Sequence, residues 1–193
     1  TLLKRKGENS MGLAHFPEGK EYYEYLVNLN TGTSYKDIPS LKQAVHSRMA
    51  KDLTEAARYL NEDPALAYQA ADYRFSLTDP EAILADLEAQ CQEDFPPIGD
   101  YECHIKAVPK ALESILSPAF YLTVPIDRPQ DNSIYINNGS TDAAQQLYTT
   151  MAHEGYPGHM YQTQYFTAQD VCNLRKLLDF TSYTEGWATY VEY

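Results

Sequence analysis

The sequence has few cysteines and few basic residues. Its three cysteines, Cys91, Cys103 and Cys172, are odd in number and show no C-x-x-C spacing. This pattern argues against a disulfide framework and against a zinc site built from thiolates. The 15 lysines and arginines are outnumbered by 27 aspartates and glutamates, for a formal net charge of −12. Because nucleic-acid affinity depends on basic side chains that neutralise phosphates, the charge argues against a nucleic-acid-binding protein.

Long apolar runs are also missing. No hydrophobic stretch approaches the roughly 20 residues of a membrane-spanning helix, and the first nine residues lack the apolar core of a signal peptide. The apolar content of 44% and charged content of 22% are typical of a globular protein with a real core. Since the chain begins at Thr1 and ends at Tyr193 within a predicted helix, we interpret residues 1–193 as one domain and as an incomplete fragment of a larger protein.

Hydrophobic periodicity predicts a mainly helical chain with a small sheet in its middle. Apolar residues recur at helical spacing in several segments. We place these helices at 18–29, 38–60, 78–94, 141–156 and 171–178, with a last one beginning near Ser182. Shorter alternating segments predict strands at 101–108, 120–124 and 133–137. The expected fold class is α+β, predominantly helical, with a small central antiparallel sheet.

The segment 153–159, H-E-G-Y-P-G-H, places two histidines around a glutamate. On a regular helix His153 and His159 would lie about 120° apart around the axis and about 9 Å along it, too far apart to bind one ion. Pro157 has no N–H to bond the carbonyl of His153 and its ring clashes with that carbonyl. We therefore predict that the helix ends near Tyr156 and restarts with Pro157 in its first turn, which would let His159 lie beside His153.

Glu154 follows the buried stripe predicted from Leu147 and Met151. A carboxylate at such a position is costly without a partner, so we expect a cation, a hydrogen-bond donor or a metal-activated water beside it. A carboxylate at the solvent-accessible rim of a cleft is the alternative.

A third metal ligand is expected downstream. Glu185 lies 26 residues after His159, which allows one intervening helix and a return, and Gly186 would permit close helix approach. The alternative is structural, because Ser182-x-x-Glu185 fits a capping box in which the glutamate only bonds the helix start. Trp187 is expected to be a packing residue.

Two segments together carry a resemblance to a known family. H-E-G-Y-P-G-H-M-Y-Q (153–162) and T-E-G-W-A-T-Y-V-E (184–192) resemble the signature of the bacterial "domain of unknown function 885" family, and the segments 16–23 and 127–137 extend the match. These proteins resemble gluzincin-type zinc metallopeptidases. The resemblance implies zincin-like active-site helices, a Zn²⁺ cofactor and a bacterial source. It makes His153, His159 and Glu185 the metal ligands and Glu154 the general base. Many members have a second histidine after the one that matches His159, but this chain has Met160 there.

The implied function is a zinc-dependent hydrolase, a metallopeptidase in which a zinc-activated water cleaves a peptide bond with Glu154 as general base. The expected partner is a peptide or small amide substrate. We expect the strand at 133–137 to be an edge strand that pairs with substrate. Arg128 is expected either to bind a substrate carboxylate or to form a surface ion pair. A tyrosine is expected to stabilise the oxyanion. The candidate substrate-binding residues are Arg128, Tyr135, Asn137, Tyr183 and Tyr190.

Two other functions stay open at this point. A zinc hydrolase could act on non-peptide amides or esters, and only a substrate screen separates it from a peptidase. The chain could also be a non-catalytic helical binding or scaffold module, in which the Pro-Gly pair is a buried kink and Glu185 a helix cap.

Overall fold

The computed structural model describes residues 12–125, 127–140 and 143–193. The contacts within the chain fall into two compact units, the first ending at Asp72 and the second formed by Tyr73–Tyr193. In the described residues, no helix has the length and apolar character needed to cross a membrane.

The first unit is helical. A 3₁₀ turn at Leu13–His15 precedes α1 (Gly19–Thr31), α2 (Ile38–Glu62) and α3 (Ala65–Asp72). The periodicity analysis did not predict α3. Because Pro64 cannot lie inside a helix but is compatible with a helix start, it both ends the α2 region and precedes α3.

Among the described residues, the second unit contains the sheet, a 3₁₀ turn at Lys110–Leu112 and five further α-helices. Its elements in chain order are α4 (Pro80–Cys91), β1 (Glu102–Ala107), β2 (Ala119–Leu122), β3 (Asp131–Ile136), α5 (Ala143–Glu154), α6 (His159–Thr167), α7 (Asn173–Leu177) and α8 (Thr181–Tyr190). The predicted α+β class, mainly helical with a small sheet, is confirmed. The first two residues of the predicted helix at 141–156 lie outside the described residues.

The sheet is mixed, which corrects the prediction of an antiparallel one. Its strand order is β1-β3-β2, with β1 parallel to β3 and β2 antiparallel to β3. The burial of β3 explains the order, because Asn132 and Ile134 are completely buried and their strand takes the centre. The chain reverses between β1 and β2 and again before β3, so β3 returns to the direction of β1.

The core of this unit includes residues of the two helices that carry the histidine motif, α5 and α6. Side chains of α4, the sheet, α5 and α6 form one apolar cluster. Ile83, Ile134, Met151 and Met160 are fully buried in it. Met160 therefore has a packing role at the position where the resemblance led us to look for a second histidine.

Candidate metal site

The predicted break between the two histidines is present. Helix α5 ends at Glu154 and α6 begins at His159. Pro157 lies in the connecting link and not in the first turn of α6, which corrects the predicted position. The reason is local, because Gly158 has φ −79° and ψ −132°, outside the helical region, so helical geometry starts only at the next residue.

Two glycines make this link possible. A Cβ at Gly158 would overlap the carbonyl oxygens of His153 and Ala152, so the link passes directly against the last turn of α5. A Cβ at Gly155 would lie 2.8 Å from the carbonyl oxygen of Met151 and 2.8 Å from Leu84 Cδ1, closer than such atoms pack. Glycine is required at both positions because the backbone approaches its neighbours too closely for any side chain.

The break brings both imidazoles to one carboxylate. The ring centroids of His153 and His159 are 4.7 Å apart and the rings are nearly perpendicular. The Nε2 atom of His153 is 3.6 Å from Glu185 Oε2, and Nε2 of His159 is 3.6 Å from Glu185 Oε1. One donor atom from each residue lies within 4.8 Å of the other two.

These donors fit a zinc ion. Zinc binds histidine nitrogen and carboxylate oxygen at about 2.0–2.1 Å in a tetrahedron, which places neighbouring donor atoms about 3.4 Å apart. The two separations of 3.6 Å, each to a different oxygen of Glu185, lie close to that value, and one donor atom from each of the three residues falls within 4.8 Å of the others. Three protein ligands would leave the fourth tetrahedral position of a bound zinc ion open, as in catalytic rather than structural zinc sites.

Glu192 orients the first histidine and was not singled out in the sequence. Its Oε1 lies 2.6 Å from Nδ1 of His153. Since an ionised carboxylate only accepts hydrogen bonds, Nδ1 is the donor in this contact, and Nε2 is the nitrogen that could offer a lone pair to a metal ion. A usable signal was its spacing, because Glu192 follows Glu185 by seven residues, close to two helical turns.

Burial shifts the pKa of two side chains at the candidate metal site, His159 and Glu154. It lowers the pKa of His159, and the nearby His153 lowers it further, which favours the neutral imidazole that metal binding requires. Burial is also the main cause that raises the pKa of Glu154. The expected partner of this carboxylate is a hydrogen-bond donor, the backbone N–H of Tyr121 in β2, at 2.7 Å from Oε2.

Glu185 does not cap its helix. Helix α8 begins at Thr181, its N-cap residue is Phe180, and no side chain caps it. The capping-box alternative, which needs Ser182 at the N-cap, is therefore wrong. The carboxylate of Glu185 is free to face the two histidines, toward which α8 packs through its contacts with α5 and α6.

The close approach of α8 depends on tryptophan and not on glycine. A Cβ at Gly186 would meet no described atom within 4 Å, so the expectation that this glycine permits helix packing is wrong. Trp187 instead donates its indole N–H to the carbonyl oxygen of Pro157 at 2.7 Å and packs edge-on against Phe95. It thus ties α8 to the link between α5 and α6, beyond the packing role predicted for it.

The strand predicted to bind substrate lies elsewhere than expected. β3 is the central strand, paired on both sides, so it cannot be the edge strand of the prediction. Asn137 is buried, donates to the carbonyls of Glu113 and Leu116 and accepts from the N–H of Gly139, which accounts for its side chain structurally. Tyr135 stacks on Phe120 with 5.2 Å between ring centroids.

The other substrate candidates are exposed. Arg128 forms an ion pair with Asp131, 3.4 Å between Nη1 and Oδ2, which is the surface-pair alternative of the prediction. Tyr190 is exposed on α8, with its ring 6.2 Å from that of Trp187. Tyr183 is exposed and lines a cavity beside the site.

Comparison with known proteins identifies the family. A solved structure described as the putative lipoprotein from Colwellia psychrerythraea is similar in fold, with a TM-score of 0.73 and 20% sequence identity. The match covers 94% of this chain and 34% of that one, so this chain spans about one third of its length. No curated protein matches the chain. The family model described as "Bacterial protein of unknown function (DUF885)" matches residues 1–193. The chain therefore belongs to this bacterial family of unknown function.

Proposed function

We propose that the chain carries the active site of a zinc-dependent hydrolase that cleaves peptide bonds, a metallopeptidase of the gluzincin type. The observation that supports it most is the convergence of His153, His159 and Glu185 within 4.8 Å, with a carboxylate base directly after the first histidine. The resemblance of the paired motifs to gluzincin-type peptidases points to the same chemistry.

Each residue has a separate task in this proposal. His153, His159 and Glu185 would hold the ion, and Glu192 would keep His153 in the tautomer that offers Nε2. A zinc ion in such a site acts as a Lewis acid and lowers the pKa of water toward neutrality.

Glu154 is the proposed general base. Its Oε2 is held by the N–H of Tyr121, which fixes the carboxylate and leaves Oε1 to accept a proton. The proton of the attacking water passes to Glu154, the oxygen bonds to the scissile carbonyl carbon, and the same proton is then delivered to the leaving amine as the C–N bond breaks. The carboxylate is thereby regenerated.

The test separates catalysis from metal binding. Glu154→Gln keeps the shape of the side chain and removes the base, so zinc content should stay at wild-type level while hydrolysis of a peptide library falls by at least 100-fold. Glu93→Gln, at an exposed site after α4, removes the same charge and should change neither quantity.

Other outcomes favour the alternatives. Hydrolysis of small amides or esters without cleavage of any peptide would favour a non-peptide hydrolase. Purified protein that holds no stoichiometric zinc and melts at the same temperature with or without chelator would favour the non-catalytic scaffold. Unchanged peptide turnover in Glu154→Gln would end the assignment of Glu154.

A further inference from the structure

A cavity of about 730 Å³ opens beside the candidate metal site. This volume lies in the range of small-molecule and substrate sites. Its wall is formed by the end of β2, one face of α6 and the segment from α7 to the start of α8. The lining includes Val124, Gln162, Phe166, Leu177, Phe180 and Tyr183.

The residues that line the cavity are neighbours of the metal-site residues in three segments of the chain. Cavity residues follow His159 on α6 by three, four, seven and eight positions, which places them on the same helix face as that histidine. Thr184, which also lines the cavity, directly precedes Glu185. Thr123 lies two residues after Tyr121, whose N–H holds Glu154.

The wall formed by α7 and the start of α8 is mostly apolar and aromatic, and Arg175, Lys176 and Asp179 also line it. The guanidinium of Arg175 lies 4.7 Å from the ring centroid of Phe166 and 4.7 Å from that of Phe180. Stacked between the two rings, this cation holds them in place as parts of one wall. Leu177 adds an apolar side chain that is 65% exposed. Apolar surface left open beside polar donors is typical of a ligand groove.

One polar group on the cavity wall has no partner. Among the described side chains, the amide nitrogen of Gln162 is buried without a hydrogen-bond acceptor. A buried unpaired donor is costly, and this nitrogen has almost no accessible surface, so it reaches an acceptor on a ligand only when the Gln162 side chain turns toward the cavity. Its position one turn after His159 suits a peptide carbonyl bound next to the metal site.

We infer that this cavity is a specificity pocket for a large apolar side chain of the substrate, and that the Gln162 side chain turns toward it on binding to donate a hydrogen bond to the adjoining peptide carbonyl. The inference rests on the proposed function and extends it by naming the substrate class: peptides with a bulky apolar residue, such as phenylalanine or leucine, next to the cleaved bond. Burial of such a side chain corresponds to about a 10- to 150-fold gain in affinity over glycine.

The test uses the intact protein and a matched pair of variants. Leu174 and Leu177 lie on the same helix and are 66% and 65% exposed, but only Leu177 lines the cavity. Peptides that carry phenylalanine or glycine beside the same bond, with free or blocked ends, are titrated calorimetrically against zinc-loaded Glu154→Gln protein. The phenylalanine peptides should bind at least 10-fold more tightly. Leu177→Asp in that background should remove the preference, and Leu174→Asp should keep it.

Gln162→Leu tests the unpaired amide separately. It replaces a buried unsatisfied donor by an apolar group of similar size, so the melting temperature should stay the same or rise while peptide affinity falls. A lower melting temperature with unchanged affinity would assign Gln162 a structural role and overturn its part in the inference.

The outcomes distinguish this inference from the proposed function. Hydrolysis by the wild type without any preference for the phenylalanine peptides overturns the pocket and leaves the peptidase. Selective binding that depends on Leu177, without hydrolysis of any peptide by the wild type, keeps the pocket and overturns the peptidase. Neither binding preference nor hydrolysis overturns both.

Discussion

Removal of the Glu192 carboxylate should weaken zinc binding without removing a ligand. The carboxylate accepts a 2.6 Å hydrogen bond from Nδ1–H of His153, while the donor set itself consists of His153, His159 and Glu185. In Glu192→Ala, Nδ1 loses its acceptor and the ring is free to rotate or to change tautomer. Rotation takes Nε2 away from the position that faces Glu185, and the other tautomer places the proton on Nε2, where it blocks metal binding.

The magnitude follows from the geometry of the pair. Hydrogen bonds to a charged group contribute about 1.5–3 kcal/mol. The side chains of His153 and Glu192 are 20% and 37% exposed, so solvent screening reduces the contribution toward the lower end. About 1.4 kcal/mol corresponds to tenfold in the dissociation constant, and loss of such outer contacts costs 10- to 100-fold in metal affinity. We expect about tenfold weaker zinc binding in Glu192→Ala.

The assay is competition for zinc against a chromogenic chelator at constant pH and ionic strength. Glu185→Ala, which removes a direct donor, should lose far more affinity than Glu192→Ala. Asp170→Asn controls for net charge, because Asp170 is exposed after α6 and forms no hydrogen bond or ion pair with another described residue; its affinity should equal that of the wild type.

Two results would refute this reasoning. Wild-type zinc affinity in Glu192→Ala would mean that the contact with His153 has no part in holding the metal. Equal losses in Glu192→Ala and Glu185→Ala would mean that Glu192 is itself a ligand and that the donor set is assigned incorrectly.

Three further predictions concern the link, its tie to α8 and the thiols. Gly158→Ala should lower the free energy of unfolding by about 1–3 kcal/mol in urea titrations, because its Cβ overlaps backbone carbonyls; unchanged stability would contradict the link geometry. Trp187→Phe should cost about 1 kcal/mol and weaken zinc binding in the chelator assay, since the carbonyl of Pro157 loses its donor; unaltered zinc affinity would show that this tie does not position α8. Burial raises the pKa of Cys103 to about 11, so at pH 8 only about 0.1% of it is thiolate. Mass spectrometry after iodoacetamide treatment should find exposed Cys172 modified first and Cys103 protected, with the reactivity of Cys103 rising as the pH approaches 11; early modification of Cys103 would contradict its burial.

Local backbone chemistry made most helices and strands predictable, and also the helix break between the two histidines of the site. The rules for proline and glycine act within a few residues, so the break between His153 and His159 followed from the segment alone. Hydrophobic periodicity located most helices and strands, because the face of a helix or strand on which a side chain lies depends only on its spacing from nearby residues. The position of Pro157 within the link was wrong, since it depends on how closely the backbone passes the end of α5.

Contacts between distant segments were decided by packing. Pairing of β3 on both sides turned the predicted edge strand into the central one and enclosed Asn137 among backbone groups. Gly186 lies open to solvent and does not mediate the helix contact that was predicted for it. Trp187 makes the contact between α8 and the α5–α6 link instead, through its hydrogen bond to Pro157.

The sequence by itself determined the α+β class, the interruption of the helix and the kinds of donor atoms available, since these depend on residue type and short spacing. Only the tertiary structure decided that Glu185 faces both histidines, that Glu192 holds one of them and that a cavity adjoins them. These relations join residues up to 39 positions apart, and their distances depend on how α8 packs against α5 and α6.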